Sequence, residues 1–259
     1  MNIVGVQMDM VWEDKQANFT KVRSLLDNAK VPPDSLIVLP EMFATGFSMN
    51  ASDIQEQTGG LTDHFLKDLG RQYQAFTIGG VVRQDDGKKP RNEAVAFNDQ
   101  GQEIARYCKL HPFSLGKEND HYQRGRDIVT FGWGAFSVGL FVCYDLRFPE
   151  VFRASVDRGA DILVVIACWP VARKHHWSTL LRARAIENQA YVVGINRCGA
   201  DPCLTYGGES VLVDPRGTVL AEADDQESVL LGSVDPTVIA DCRRELPCLQ
   251  DRHPDYGLF

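Results

Sequence analysis

Short runs of aliphatic and β-branched residues recur along the chain, separated by stretches in which apolar positions return every three or four residues. The runs are NIVGVQM near the start, SLIVLP from Ser35, FTIGGVV from Phe76, GLFVC ending at Cys143, DILVVIA from Asp161 and AYVVGIN from Ala190. Each has the length and composition of a strand covered on at least one face. Between them Phe19, Val22, Leu25 and Leu26 keep helical spacing, as do Trp177, Leu180 and Leu181, and both stripes are expected to face a core. The alternation predicts an α/β fold. Two further segments read as antiparallel hairpins: ESVLVDPRGTVLAEA turns at Pro-Arg-Gly, and AVAFNDQGQEIARYCK turns between Asp99 and Gly101. The sheets are therefore expected to be mixed.

Composition narrows the class. The chain has 259 residues, 44% apolar and 24% charged, enough for one large core. No linker, repeat or low-complexity stretch divides it, so a single domain over 1–259 is expected. The formal charge is -8 with the basic residues scattered, which excludes a nucleic-acid footprint and favours a small-molecule partner. The start, MNIVGVQMDMVWED, lacks a basic leader and is interrupted by Asp9. No segment reaches the roughly 20 apolar residues of a membrane helix. A cytoplasmic protein is expected, with no membrane partner. Neither GxGxxG nor a P-loop pattern occurs. The seven cysteines are an odd number in a chain without an export signal, so free thiols are expected. Cys198, Cys203, Cys242 and Cys248 are too irregularly spaced to read as a zinc site, and no metal is expected.

Candidate chemistry sits where strands stop. Cys143 ends a buried run, and a helix is expected to follow it, with Pro149 in its first turn, Glu150 near its positive end and Gly159 at its stop. A sharp strand-to-helix turn exposes one side chain and leaves backbone N–H groups free for an oxyanion. Taken alone, a cysteine there is more often a core residue. Glu41 follows SLIVLP and Lys109 ends EIARYCK, and each by itself reads as surface. Together the three supply a nucleophile, a base for its proton and a cation for the charge that develops.

At this point the blocks LPEMF, RYCKLHPF, CYDLRFPE and RARAIENQAYVVGINRCG resemble, in order, the signature segments of the nitrilase superfamily of carbon-nitrogen hydrolases. The resemblance runs from about Val4 nearly to the C-terminus. It implies a four-layer α-β-β-α sandwich with two mixed β-sheets and a catalytic triad of Glu41, Lys109 and Cys143. Glu118, in KENDHYQRG, matches the second glutamate that many members place beside the triad. EMFATGFSM, Trp169-Pro and His176-Trp177 are similar to the bacterial omega-amidases, which hydrolyse the terminal amide of 2-oxoglutaramate or 2-oxosuccinamate. Other branches, acting on nitriles, N-carbamoyl amino acids or deaminated peptides, and a non-catalytic binding protein are the alternatives. The resemblance implies no cofactor and a homodimer.

The resemblance also implies that the Tyr144 N–H joins Lys109 in holding the oxyanion. Phe43, Phe47 and Trp169 are expected as pocket walls and Arg173 as the grip on a substrate carboxylate. Asp145 and Arg147 read first as an ion pair with each other and otherwise as a hold on a substrate carboxylate. His111, His175 and His176 read as hydrogen-bonded packing, Cys168 as an inert buried thiol, and Arg184 and Glu187 as anchors between helices or subunits. The tail LPCLQDRHPDYGLF is expected to fray or to dock on a second subunit.

Overall fold

The computed structural model describes residues 1–85 and 87–253. In chain order the first half contains β1 (Asn2–Gln7), α1 (Lys15–Ala29), β2 (Leu36–Val38), α2 (Ala51–Ile54), α3 (Leu61–Tyr73), β3 (Phe76–Arg83), β4 (Arg91–Phe97), β5 (Glu103–Cys108) and the one-turn α4 (Glu118–His121). Then come β6 (Thr130–Trp133), β7 (Phe136–Val142), α5 (Pro149–Asp157), β8 (Ile162–Ala167), α6 (Lys174–Asn188) and β9 (Tyr191–Asn196). The chain continues with β10 (Cys198–Ala200), β11 (Thr205–Gly207), β12 (Val211–Val213), β13 (Val219–Glu222), β14 (Ser228–Ser233) and α7 (Pro236–Glu245). Every run read as a strand is one, and both hairpins form, as β4–β5 and β12–β13.

One six-stranded sheet has the order β14-β1-β2-β3-β4-β5 and the other β13-β12-β9-β8-β7-β6. Both are mixed. β1, β2 and β3 are parallel, whereas β14, β4 and β5 join antiparallel. In the second sheet β7, β8 and β9 are parallel and are flanked by antiparallel β6 and β12.

Alternation along β1 sets the layers. Val4 and Val6 join Phe19, Val22 and Leu26 of α1 and Phe65, Leu66 and Leu69 of α3 on the outer face. Ile3 lies in the other core, between the sheets, and Gly5 leaves so little room there that a Cβ would come within 2.2 Å of Ile195 Cδ1 of β9. On the far side Gly194 of β9 lies against Leu181 and Trp177 of α6, while Phe141 of β7 stacks on Phe152 of α5. The result is a helix-sheet-sheet-helix sandwich. Each fully buried Phe, Val or Leu in it contributes about 1.5–3 kcal/mol from area removed from water.

Strand direction is what positions the chemistry. β5 runs parallel to β2 and β3, because two antiparallel steps separate it from β3, so the residues after β2 and β5 leave the same edge of the first sheet. The second sheet delivers the ends of β7 and β8 together, as paired parallel neighbours. α7 ends at Glu245, and Gln189 Nε2 then donates to Leu246 O at 2.7 Å while Arg252 bonds Asp157 of α5 at 2.6 Å. The segment Leu246–Arg252 thus packs on the chain's own α5 and α6, while 254–259 lie outside the described residues.

Candidate active site

Glu41 is the third residue after β2 and Lys109 follows β5 directly, and both side chains are buried. Lys109 Nζ donates to Glu41 Oε1 at 2.8 Å and to Glu118 Oε2 at 2.9 Å. Glu118 opens α4, and the same Oε2 accepts from the Phe113 N–H at 2.6 Å. Glu41 also accepts from the Cys168 N–H at 2.8 Å, through Oε2. Gly80 of β3 lets this corner close: a Cβ there would lie 2.2 Å from Met42 N and 2.7 Å from the Glu41 backbone.

Cys143 follows β7 and opens a 3-10 turn that runs to Arg147 before α5 begins with Pro149. Its φ is +46°, a left-handed conformation that a side chain rarely adopts and that carries about 1–3 kcal/mol of strain. Asp145 holds the turn in place. Its carboxylate accepts from the Val142 N–H, the Tyr107 hydroxyl and the His111 N–H, and His111 Nδ1 lies 2.8 Å away. From the helix side Arg184 donates to Leu146 O at 2.8 Å and pairs with Glu187. The expected Asp145–Arg147 ion pair is therefore corrected: Asp145 is fully used inside, and among the described residues it does not pair with Arg147.

Arg147 instead lines the pocket that Cys143 and Lys109 line. Its guanidinium lies 4.8 Å from the Trp169 ring, and its Nη2 is 3.2 Å from His176 Nδ1. Arg173 lies on the same wall, over Phe113. Trp169 is fixed by Asn196, which accepts from its N–H at 2.7 Å, and by its own indole bond to Arg173 O at 2.8 Å. Phe47 and Tyr144 complete the wall, Phe47 with its ring 5.2 Å from Lys109 Nζ. Of the expected walls only Phe43 is elsewhere. The turn after Glu41, begun by Met42 at φ +44°, sends Phe43 outward to pack with Phe19 of α1 and Phe65 of α3.

The electrostatics follow from burial. Burial pushes the Cys143 thiol well above its ordinary range, the charge of Glu41 pushes it further, and Lys109 opposes both. Burial alone would lower Lys109, but the carboxylates of Glu118 and Glu41 outweigh it and hold the ammonium well above the usual lysine range. The resting pair is thus a thiol beside a charged lysine. Cys168 lies at the same pocket, its thiol donating to Glu41 O at 3.2 Å, and burial raises it too.

Residues 4–244 match the family described as Carbon-nitrogen hydrolase. The chain belongs to that family. Among relatives of this carbon-nitrogen hydrolase, the omega-amidase YafV of Yersinia enterocolitica is 38% identical over 89% of this chain and 88% of its own. The 2-oxoglutaramate amidase of Bacillus subtilis (strain 168) is 30% identical over 96% of each. Solved structures agree on the fold. XC1258 from Xanthomonas campestris, a CN-hydrolase superfamily protein with an arsenic adduct in its active site, has a TM-score of 0.92 at 32% identity, covering 98% of this chain and 97% of that one. Saccharomyces cerevisiae Nit3, of branch 10 of the nitrilase superfamily, has a TM-score of 0.89 at 28% identity with the same coverage.

Sequence reading missed two contributors, Asn92, which bonds Glu41 and Glu118, and the Cys168 N–H, and it ranked the pocket role of Arg147 below an ion pair with Asp145. Backbone donors leave no mark in a sequence. Arg147 was legible as a charge beside the nucleophile, but its direction was not.

Proposed function

We propose that this carbon-nitrogen hydrolase is an omega-amidase, cleaving the terminal amide of small omega-amido 2-oxo acids such as 2-oxoglutaramate and 2-oxosuccinamate to a dicarboxylate and ammonia. The observation that carries the reading is that two arginines, Arg147 and Arg173, line the same small pocket as the Cys143 thiol and Lys109. A carboxylate recognised there by a guanidinium fork would place the far end of a short substrate against the sulfur. The names of the two relatives point the same way.

In this reading Glu41 takes the thiol proton as Sγ attacks the amide carbonyl. Lys109 and the Tyr144 N–H hold the oxyanion, and Glu41 passes the proton to the departing nitrogen, releasing ammonia. An acyl thioester remains on Cys143. Water then enters where ammonia left, Glu41 removes its proton, and the tetrahedral adduct collapses to the acid and the free thiol. Glu118 orients Lys109, and Phe47 and Trp169 wall the acyl chain. The high proton affinity that burial imposes on Cys143 suits this sequence, because the sulfur becomes an anion only as a base beside it accepts the proton.

The test is a panel of omega-amides, nitriles and N-carbamoyl amino acids assayed for ammonia. Preference for 2-oxoglutaramate or 2-oxosuccinamate is expected; preference for a nitrile or carbamoyl substrate overturns the substrate class. The reading also takes the protein as a cytoplasmic homodimer, and a monomer mass in light scattering at micromolar concentration contradicts the dimer.

A further inference from the structure

Asn92 stands second in β4, where antiparallel pairing brings the start of that strand to the edge from which β2 and β5 leave. Its main chain belongs to the frame, since the Lys109 N–H donates to Asn92 O at 2.9 Å. Its side chain, 1% exposed, belongs to the charges. Nδ2 donates to Glu41 Oε1 at 2.7 Å and to Glu118 Oε1 at 2.9 Å, while Oδ1 is buried with no partner among the described residues. The orientation follows from the network: turned over, the amide would aim its acceptor at two carboxylates.

Lys109 and Asn92 thus divide one task. Each carboxylate receives one bond from the ammonium and one from the amide, so one positive charge serves two negative ones without either lacking a second donor. Leaving Oδ1 unsatisfied is a cost that a merely space-filling residue would not carry. The neighbours Arg91 and Glu93 pair instead with Asp85, Arg83 and Arg106.

We propose that Asn92 is a positioning residue of the amidase reaction, bonding Glu41 Oε1 so that this carboxylate is aimed to take a proton from Cys143. The proposal rests on the reading of Glu41 as the base. The titratable groups facing it are Lys109 after β5, Glu118 and Tyr122 at the two ends of α4, Cys143 after β7 and Cys168 after β8. Burial raises Tyr122, Cys143 and Cys168, and the carboxylates raise Lys109 against its burial, so all four keep their protons through the acidic range.

The experiment compares the parent with Asn92→Ala and the isosteric Asn92→Asp by two readouts against pH. One is kcat/KM for ammonia release; the other is the rate at which iodoacetamide alkylates Cys143, which needs no substrate. The expected result for Asn92→Ala is a fall in kcat of about tenfold or more with KM changed less than about twofold. The acidic limb of both readouts moves to higher pH, and further in Asn92→Asp, where a third carboxyl joins the cluster. Limbs that superimpose on the parent in a variant with the parent's circular dichroism spectrum overturn the proposal. If the alanine variant does not fold, the aspartate variant is judged by the same criterion. Should the parent release no ammonia from any amide, the functional reading fails by itself, and the alkylation limb still decides the role of Asn92.

Discussion

At Cys143 the environment opposes the charge that nucleophilic attack requires. Burial and the charge of Glu41 both raise the thiol, and Lys109 only partly offsets them. The same lysine is the sole ammonium bonded to two buried carboxylates among the described residues. Lys109→Met would leave Glu41 and Glu118 facing each other with the Asn92 amide alone between them. The expected outcome is no measurable turnover and a loss of about 3–5 kcal/mol in urea unfolding, the range for a buried charge that loses its partner. Lys109→Arg should not restore activity, because a planar fork does not fill the place of a compact ammonium. In the pocket wall, Arg173→Ala is expected to raise KM for 2-oxoglutaramate about tenfold or more while leaving a neutral aliphatic amide unaffected. Equal losses on both substrates in steady-state assays would remove Arg173 from carboxylate recognition.

At the scale of elements, the site is made by the places where strands stop. β2 and β5 release Glu41 and Lys109 on one edge, β7 releases Cys143 into a left-handed turn, and β8 releases the Cys168 N–H and Trp169. Gly80 of β3 must stay bare for the Glu41 turn to lie where it does, since the atoms a Cβ would meet are backbone. Gly80→Ala is therefore expected to cost about 1–3 kcal/mol from overpacking, and to slow Cys143 alkylation as Glu41 is displaced. An unchanged alkylation rate in the folded variant would show that the turn adjusts without moving the carboxylate. The strand ends were legible in the sequence because buried β-branched runs that stop at a single polar residue are conspicuous; Glu41, Lys109 and Cys143 all stand at such stops. Asn92 does not, since it stands second in its strand and reads as an ordinary polar residue near a strand's start. Phe43 and Phe47 looked alike on paper. Only the turn that carries them, with Met42 and Gly46 each at positive φ just before one of the rings, decides that one faces the helices and the other the pocket.

For the whole molecule, an α/β fold with mixed sheets was legible from alternation and hairpin turns and the sandwich only from the family resemblance, because the face-to-face contact of the sheets depends on close approaches such as Gly5 against Ile195, which no local pattern marks. The sandwich buries thiols in both halves. Burial pushes Cys108 and Cys198 up to about 12 from an ordinary 9.0. An unfolded chain ionises these thiols near pH 9 and the folded one does not, so the unfolded state binds fewer protons between pH 9 and 12. Stability is then expected to be complete below pH 9 and to fall as pH rises through that window. Melting temperatures at pH 7, 9 and 11 check this, and the combined Cys108→Ala, Cys198→Ala variant should show a shallower decline than the parent. An identical slope would remove these thiols as its cause.

Joining the sheets brings a carboxylate, an ammonium and a thiol from distant parts of the chain to one buried place, and the function argued from it requires the sulfur to carry the acyl group. The most direct measurement is ammonia release from 2-oxoglutaramate by the parent and by Cys143→Ala, with circular dichroism confirming the same fold. The parent should release ammonia and the dicarboxylate in equal amounts while the variant releases none; release by Cys143→Ala at the parent rate would contradict the account.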